Sequence, residues 1–137
     1  MRKDDLTIEF QKIDEEAGFL DRLILIKTQR SLDAIELRAA AFSITSIYNG
    51  LEKILLILLG ERFQQSSPTW HADLLMKSKS RGFITEDLYR HLAAFLGFRH
   101  FIRHAYSFEI RNEPVESVLD TVKTVVEEFK REIAAAQ

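Results

Sequence analysis

Apolar residues recur at alternating spacings of four and three along most of the chain, which is the period of α-helices that bury one face. The first predicted helix shows this pattern in Leu6, Phe10, Ile13, Ala17, Leu20 and Ile24. The pattern predicts five helices and no strands, at about residues 5–28, 33–59, 70–78, 85–104 and from near 114 to 133. We therefore predict an all-α fold, a four-helix up-and-down bundle with an additional short helix, in a single domain over residues 1–137.

Polar residues at the predicted helix ends support these boundaries. Asp33 and Glu36 have the spacing of a capping box at the start of the second helix, and Gly60 suits its C-terminal stop. Thr69 and Thr85 are the predicted N-caps of the third and fourth helices. The polar segment 61–69 is predicted to be a loop.

Composition narrows the class of protein further. The chain has no cysteine, which excludes disulfides, a thiol nucleophile and a zinc–thiolate site, and suits a reducing cytoplasm. Its first ten residues lack the apolar core of a signal peptide. The most apolar run, 51–59, contains Glu52 and Lys53 and is too short to cross a bilayer. We therefore expect a cytoplasmic protein with no membrane association.

Charge is unevenly distributed along this weakly acidic chain of net charge −2. Residues 77–111 contain seven Lys or Arg against three acidic residues, whereas residues 112–137 contain six acidic residues against three basic ones. A local basic zone can attract a phosphate backbone, although a solvated helix face has the same composition.

The end of the fourth predicted helix carries the most unusual sequence, Phe98-Arg99-His100-Phe101-Ile102-Arg103-His104-Ala105-Tyr106. Arg99 follows Leu88, Leu92 and Phe95 in the apolar seam, where a purely structural helix would have leucine. Either a carboxylate across the bundle pairs with this arginine, or it faces another surface, such as a partner subunit or a phosphate. On a regular helix His104 points roughly 140° away from Arg99, so a shared site needs the helix to end there or a second chain to contribute.

Arg99, His104 and Tyr106 have the Arg-x-x-x-x-His-x-Tyr spacing, and this motif resembles the signature of HepT-type toxins, helical ribonucleases of the HEPN superfamily. The segments 47–54, Trp70-His71 with Leu74-Leu75, and 106–110 are also similar to HepT-like proteins, so that the resemblance covers roughly residues 35–130. The family often has Asn or Asp directly after the arginine, where this chain has His100.

The resemblance implies a metal-independent endoribonuclease toxin of a type II/VII toxin–antitoxin pair, with no cofactor. Arg99 and His104 would be catalytic, and His100 and Arg103 would support the binding of RNA phosphates. A histidine can transfer protons near neutral pH, and an arginine can hold phosphate oxygens. The resemblance also implies a homodimer with a shared cleft, and an MNT-type nucleotidyltransferase antitoxin that adds AMP to Tyr106.

Other functions are compatible with the same residues. A non-catalytic HEPN-like module could serve as the substrate-binding partner or antitoxin of a nucleotidyltransferase, and a plain helical dimerisation domain is a third possibility. His100 and His104 have a spacing that metal sites use, but no third ligand is evident, so no metal site is predicted. The remaining polar and aromatic candidates are interpreted as structural: His71 and His91 as surface or cap residues, Trp70 as core, Tyr48 as packing and Glu52 as a solvated charge.

Overall fold

The computed structural model describes residues 2–60, 65, 67–105 and 109–136, and these residues form six helices and no strand. The helices are α1 (Arg2–Lys27), α2 (Ala34–Leu59), α3 (Trp70–Ser80), α4 (Glu86–His104), α5 (Asn112–Leu119) and α6 (Val122–Ala136). The predicted all-α class is confirmed. The first four helices lie close to their predicted ranges.

The prediction of a single fifth helix is wrong, because the chain forms two helices there, α5 and α6, separated by Asp120 and Thr121. The backbone N–H of Thr121 donates to the carbonyl of Val118 at 3.0 Å, which tightens the last turn of α5. The next helix resumes with a bond of 3.1 Å from the Val125 N–H to the Thr121 carbonyl. Leu119 and Val122 are both buried across this break, so the apolar stripe continues without interruption.

Helix α2 is the centre of the fold and packs against α1, α3, α4 and α5. Its buried residues join those of all the other helices in one apolar cluster. By length and composition alone α2 could cross a membrane, with a mean hydropathy of 1.4 over its most apolar window. Half of that window is buried inside the protein, and one helix of this kind is weak evidence for a membrane span.

The first turns of α2 and α4 are fixed by polar contacts. At the start of α2 the predicted capping box is present: Asp33 Oδ1 accepts from the Glu36 N–H at 2.8 Å, and Glu36 Oε1 accepts from the Asp33 N–H at 2.9 Å. Thr85 caps α4 by accepting from the Leu88 N–H. The Thr85 backbone N–H and hydroxyl donate in turn to the Glu132 carboxylate, which joins the start of α4 to α6.

A glycine allows α1 and α2 to approach closely beside the polar residues of α2. A Cβ atom added to Gly50 would lie 2.7 Å from Cγ1 of Ile13, which is closer than van der Waals contact permits. Ile13 is buried at this crossing. The position of α2, and of the neighbouring Asn49, therefore depends on the absence of a side chain at residue 50.

Candidate functional site

The arginine in the seam of α4 contacts a polar partner on α2. Leu88, Leu92 and Phe95 of the seam are buried, whereas Arg99 is half-buried. Its Nε donates to Oδ1 of Asn49 at 2.9 Å. Within the part of the chain that the structure describes, no carboxylate forms a salt bridge with Arg99. No described residue bonds to the two terminal nitrogens of the guanidinium, which can donate to an anion.

Helix α4 ends at His104, and Ala105 is extended with φ −75° and ψ 141°. The end of the helix, the start of α3 and the loop before it enclose an open cavity of about 820 Å³. Residues 67–72 line one side of the cavity, and one side of α4 from Ala93 to His104 lines the other. Arg99 and His104 both line it, so their difference in direction along α4 does not separate them into two sites.

The cavity is basic. Four of its lining residues, Arg99, His100, Arg103 and His104, come from the last two turns of α4, and none of the described lining residues is acidic. The rings of His100 and His104 contact each other with centroids 4.4 Å apart. A helix C-terminus carries a partial negative charge that stabilises cations in its last turn. The arrangement therefore concentrates positive charge where an anionic ligand can reach it.

A histidine from α3 lines the same cavity and contacts a buried carboxylate. Nδ1 of His71 lies 2.7 Å from Oε2 of Glu52, a residue of α2 that is only 4% exposed. The neighbouring Trp70 stacks on the His71 ring, with centroids 3.8 Å apart and an angle of 30° between the planes. A buried carboxylate requires such a donor, because it has lost its hydration. The position of the imidazole is thus fixed from two sides.

The hydroxyl of Tyr48 lies close to Glu52 and Arg99. It is fully buried and, among the described residues, has no hydrogen-bond partner of good geometry. Burial strongly raises the pKa of the Tyr48 hydroxyl, and the nearby Glu52 charge raises it further. Tyr48 is therefore a neutral core residue at any physiological pH.

Comparison with known proteins identifies the family of this chain. A family model described as HepT-like protein matches residues 39–137, which is more than half of the chain and includes every residue that lines the cavity. The chain belongs to the HepT-like family. The match is consistent with the HEPN superfamily that the Arg-x-x-x-x-His-x-Tyr motif indicates. No curated protein and no solved structure matched the chain.

Four of the predicted site residues of this HepT-like protein lie together at the cavity: Arg99, His100, Arg103 and His104. The fifth, Tyr106, lies outside the described residues. No group of three histidine or acidic side chains that could hold a metal ion occurs among the residues that are described.

Two interpretations from sequence were wrong. Glu52 is buried rather than solvated, and His71 lines the cavity instead of lying at a surface or a cap. Asn49, the partner of Arg99, was not predicted as a site residue. The sequence of α2 held one available signal, since Glu52 and Lys53 place two charges in the apolar run 51–59. A charge in such a run is either solvated or paired.

Proposed function

We propose that this HepT-like protein is a metal-independent endoribonuclease toxin that cleaves RNA at the cavity formed by α3 and α4. The observation that carries the proposal is the collection of Arg99, His100, Arg103 and His104 around one open cavity in a chain of this family. The proposed fold is an up-and-down four-helix bundle in one domain. The proposed location is the reducing cytoplasm.

The chemistry requires no metal. RNA carries a 2′ hydroxyl that can attack the adjacent phosphorus when a base removes its proton, and charge then builds on the non-bridging phosphate oxygens. Arg99 is suited to stabilise that charge, because no described carboxylate forms a salt bridge with its guanidinium. His104 is suited to transfer a proton, and His100 and Arg103 to bind the flanking phosphates.

The proposal includes a homodimer and a partner. The half-buried Arg99 has a neutral amide as its described partner, and a cleft completed by a second copy of the chain would place two such sites together. We further propose that a nucleotidyltransferase antitoxin adds AMP to Tyr106. Each AMP would bring a phosphate charge near Arg99 and Arg103 and compete with RNA for them.

Cleavage of RNA by purified variants tests the proposal. His104→Ala and Arg99→Ala should each lower the rate at least roughly a hundredfold. Arg90→Ala is the matched control, because Arg90 lies on the same helix, is exposed and does not line the cavity. A metal chelator should leave the wild-type rate unchanged. Cleavage that survives His104→Ala, or that disappears with the chelator, would contradict the mechanism.

The partner and the dimer have separate tests. Light scattering at micromolar concentration should give about twice the 15.9 kDa chain mass, and a monomer would reject the shared cleft. Incubation with the partner and ATP should add AMP units, seen by intact-mass spectrometry, to the wild type but not to Tyr106→Phe. Tight binding of a nucleotidyltransferase without any RNA cleavage would instead support the non-catalytic module.

A further inference from the structure

Cleavage of RNA through its 2′ hydroxyl needs two proton transfers. One proton leaves the attacking 2′ hydroxyl, and another is added to the 5′ oxygen as it departs. His104, to which proton transfer was assigned above, can make only one of these transfers, so a second group must make the other. The cavity of one chain holds three imidazoles, those of His71, His100 and His104, and their surroundings differ.

Only one of these rings is held by a buried carboxylate among the described residues. His100 and His104 are exposed and contact each other on one helix. His71 comes from the opposite wall, is half-buried, and bonds through Nδ1 to Glu52. The stacked Trp70 ring further restricts its rotation. His71 is therefore the ring whose orientation toward the cavity is most strongly fixed.

The contact with Glu52 also determines which nitrogen can accept a proton. A carboxylate only accepts hydrogen bonds, so Nδ1 of His71 carries the proton in this contact. The neutral ring then has its lone pair on Nε2, on the other side of the imidazole. A carboxylate that fixes the tautomer in this manner prepares a histidine to act as a base.

We propose that His71 is the general base of the site and that Glu52 is its positioning residue, which leaves His104 as the general acid; this inference rests on the proposed ribonuclease function. Nε2 of His71 takes the proton of the 2′ hydroxyl while the 2′ oxygen forms a bond to phosphorus. The bond from phosphorus to the 5′ oxygen breaks as His104 donates a proton to that oxygen. The products are a 2′,3′-cyclic phosphate and a free 5′ hydroxyl, and both histidines then exchange protons with water.

A sulfur-substituted RNA separates the two roles. Replacing the bridging 5′ oxygen by sulfur removes the need for a general acid, because thiols ionise far more readily than alcohols. The variant to test is His71→Asn, whose amide can still donate to Glu52 but which has no nitrogen in place of Nε2. His104→Asn is compared on the same substrates, and His91→Asn is the matched control for a histidine that contacts a glutamate away from the cavity.

We expect His71→Asn to lower the cleavage rate at least roughly a hundredfold on both the oxygen and the sulfur substrate. His104→Asn should lower it as strongly on the oxygen substrate and should recover to within a few-fold of wild type on the sulfur substrate. His91→Asn should cleave both as the wild type does. Glu52→Gln should lower the cleavage rate on both substrates as His71→Asn does, but only roughly tenfold. If Glu52 had a purely structural role, the variant would lose thermal stability without this equal loss of rate on both substrates.

Three results would overturn the inference. Wild-type rates for His71→Asn would mean that the base lies elsewhere. Recovery of His71→Asn on the sulfur substrate would make His71 the acid instead. Failure of the wild type to cleave either substrate would reject the ribonuclease proposal itself, and the assignment of His71 with it. Circular dichroism melting of each variant identifies any loss of rate that is caused by unfolding.

Discussion

Two histidine–glutamate contacts occupy different regions of this molecule. At the cavity, His71 Nδ1 lies 2.7 Å from Glu52, and their side chains are 21% and 5% exposed. At the surface between α4 and α6, His91 Nδ1 lies 2.9 Å from Glu128, and the corresponding values are 53% and 18%. The bond lengths are nearly the same, so burial and neighbours are what distinguish the two regions.

The difference shows what a polar contact contributes in each setting. At the surface, water solvates both groups when they separate, so such a pair adds little to stability. At the cavity, Glu52 is surrounded by protein, and its hydrogen bond to His71 replaces part of its lost hydration. The buried contact therefore fixes the geometry of a side chain that faces a ligand-sized space, and the exposed contact does not.

The largest expected effect comes from removing the imidazole in each region. His71→Ala leaves the Glu52 carboxylate buried without its donor, which should lower the free energy of unfolding by about 3 kcal/mol. His91→Ala should change it by less than about 0.5 kcal/mol. Urea unfolding of both variants at neutral pH measures the two values. Equal losses would remove the distinction between the two regions.

The next largest effect concerns the close crossing of α1 and α2, which we expect to position the part of α2 beside the cavity. Gly50→Ala introduces a Cβ atom against Ile13 and should lower the free energy of unfolding by about 1–2 kcal/mol. Gly18→Ala, on α1, is the control, since a Cβ there meets nothing within 4 Å and should stabilise the helix by about 0.5–1 kcal/mol. Thermal unfolding in parallel with RNA cleavage measures both. If Gly50→Ala were as stable as Gly18→Ala, the crossing would not position α2.

The smallest effect concerns Glu36, a half-buried glutamate that pairs with an arginine at the surface. Bonds from Arg30 and from the Asp33 backbone lower the pKa of Glu36 to about 2 from its usual 4.5. Because the folded pKa is the lower one, this stabilisation is present above pH 4.5 and is lost as the pH falls toward 2. The melting temperature of wild type should therefore exceed that of Glu36→Gln most at pH 6, and the two should converge near pH 2. A difference that does not depend on pH would show that the charge of Glu36 is irrelevant.

Sequence reasoning succeeded where the information is local. The capping box of Asp33 and Glu36, the N-cap at Thr85 and the arginine in the seam of α4 each depend on residues within a few positions of one another. Helical periodicity places such residues reliably relative to their own helix. The spacing of Arg99, His100, Arg103 and His104 likewise places them within the last two turns of α4, but it left open whether Arg99 and His104 face the same site.

Contacts between helices could not be predicted in the same way. Glu52 and His71 lie on different helices with a loop between them, and Asn49 and Arg99 are joined only because α2 packs against α4. Their register depends on how whole helices dock, which no spacing in the sequence records. The break between α5 and α6 was missed because neither Gly nor Pro marks it and the apolar stripe stays in phase.

The arginine in the seam of α4 also has a consequence for how this chain can evolve. A leucine at residue 99 would complete the apolar row of Leu88, Leu92 and Phe95, and selection for a more stable bundle alone would favour that replacement. Selection for the proposed anion-binding cavity would oppose it. Residue 99 is thus a position where stability and the proposed activity are in conflict, and a lineage that lost that activity would be free to gain a firmer core by a single substitution.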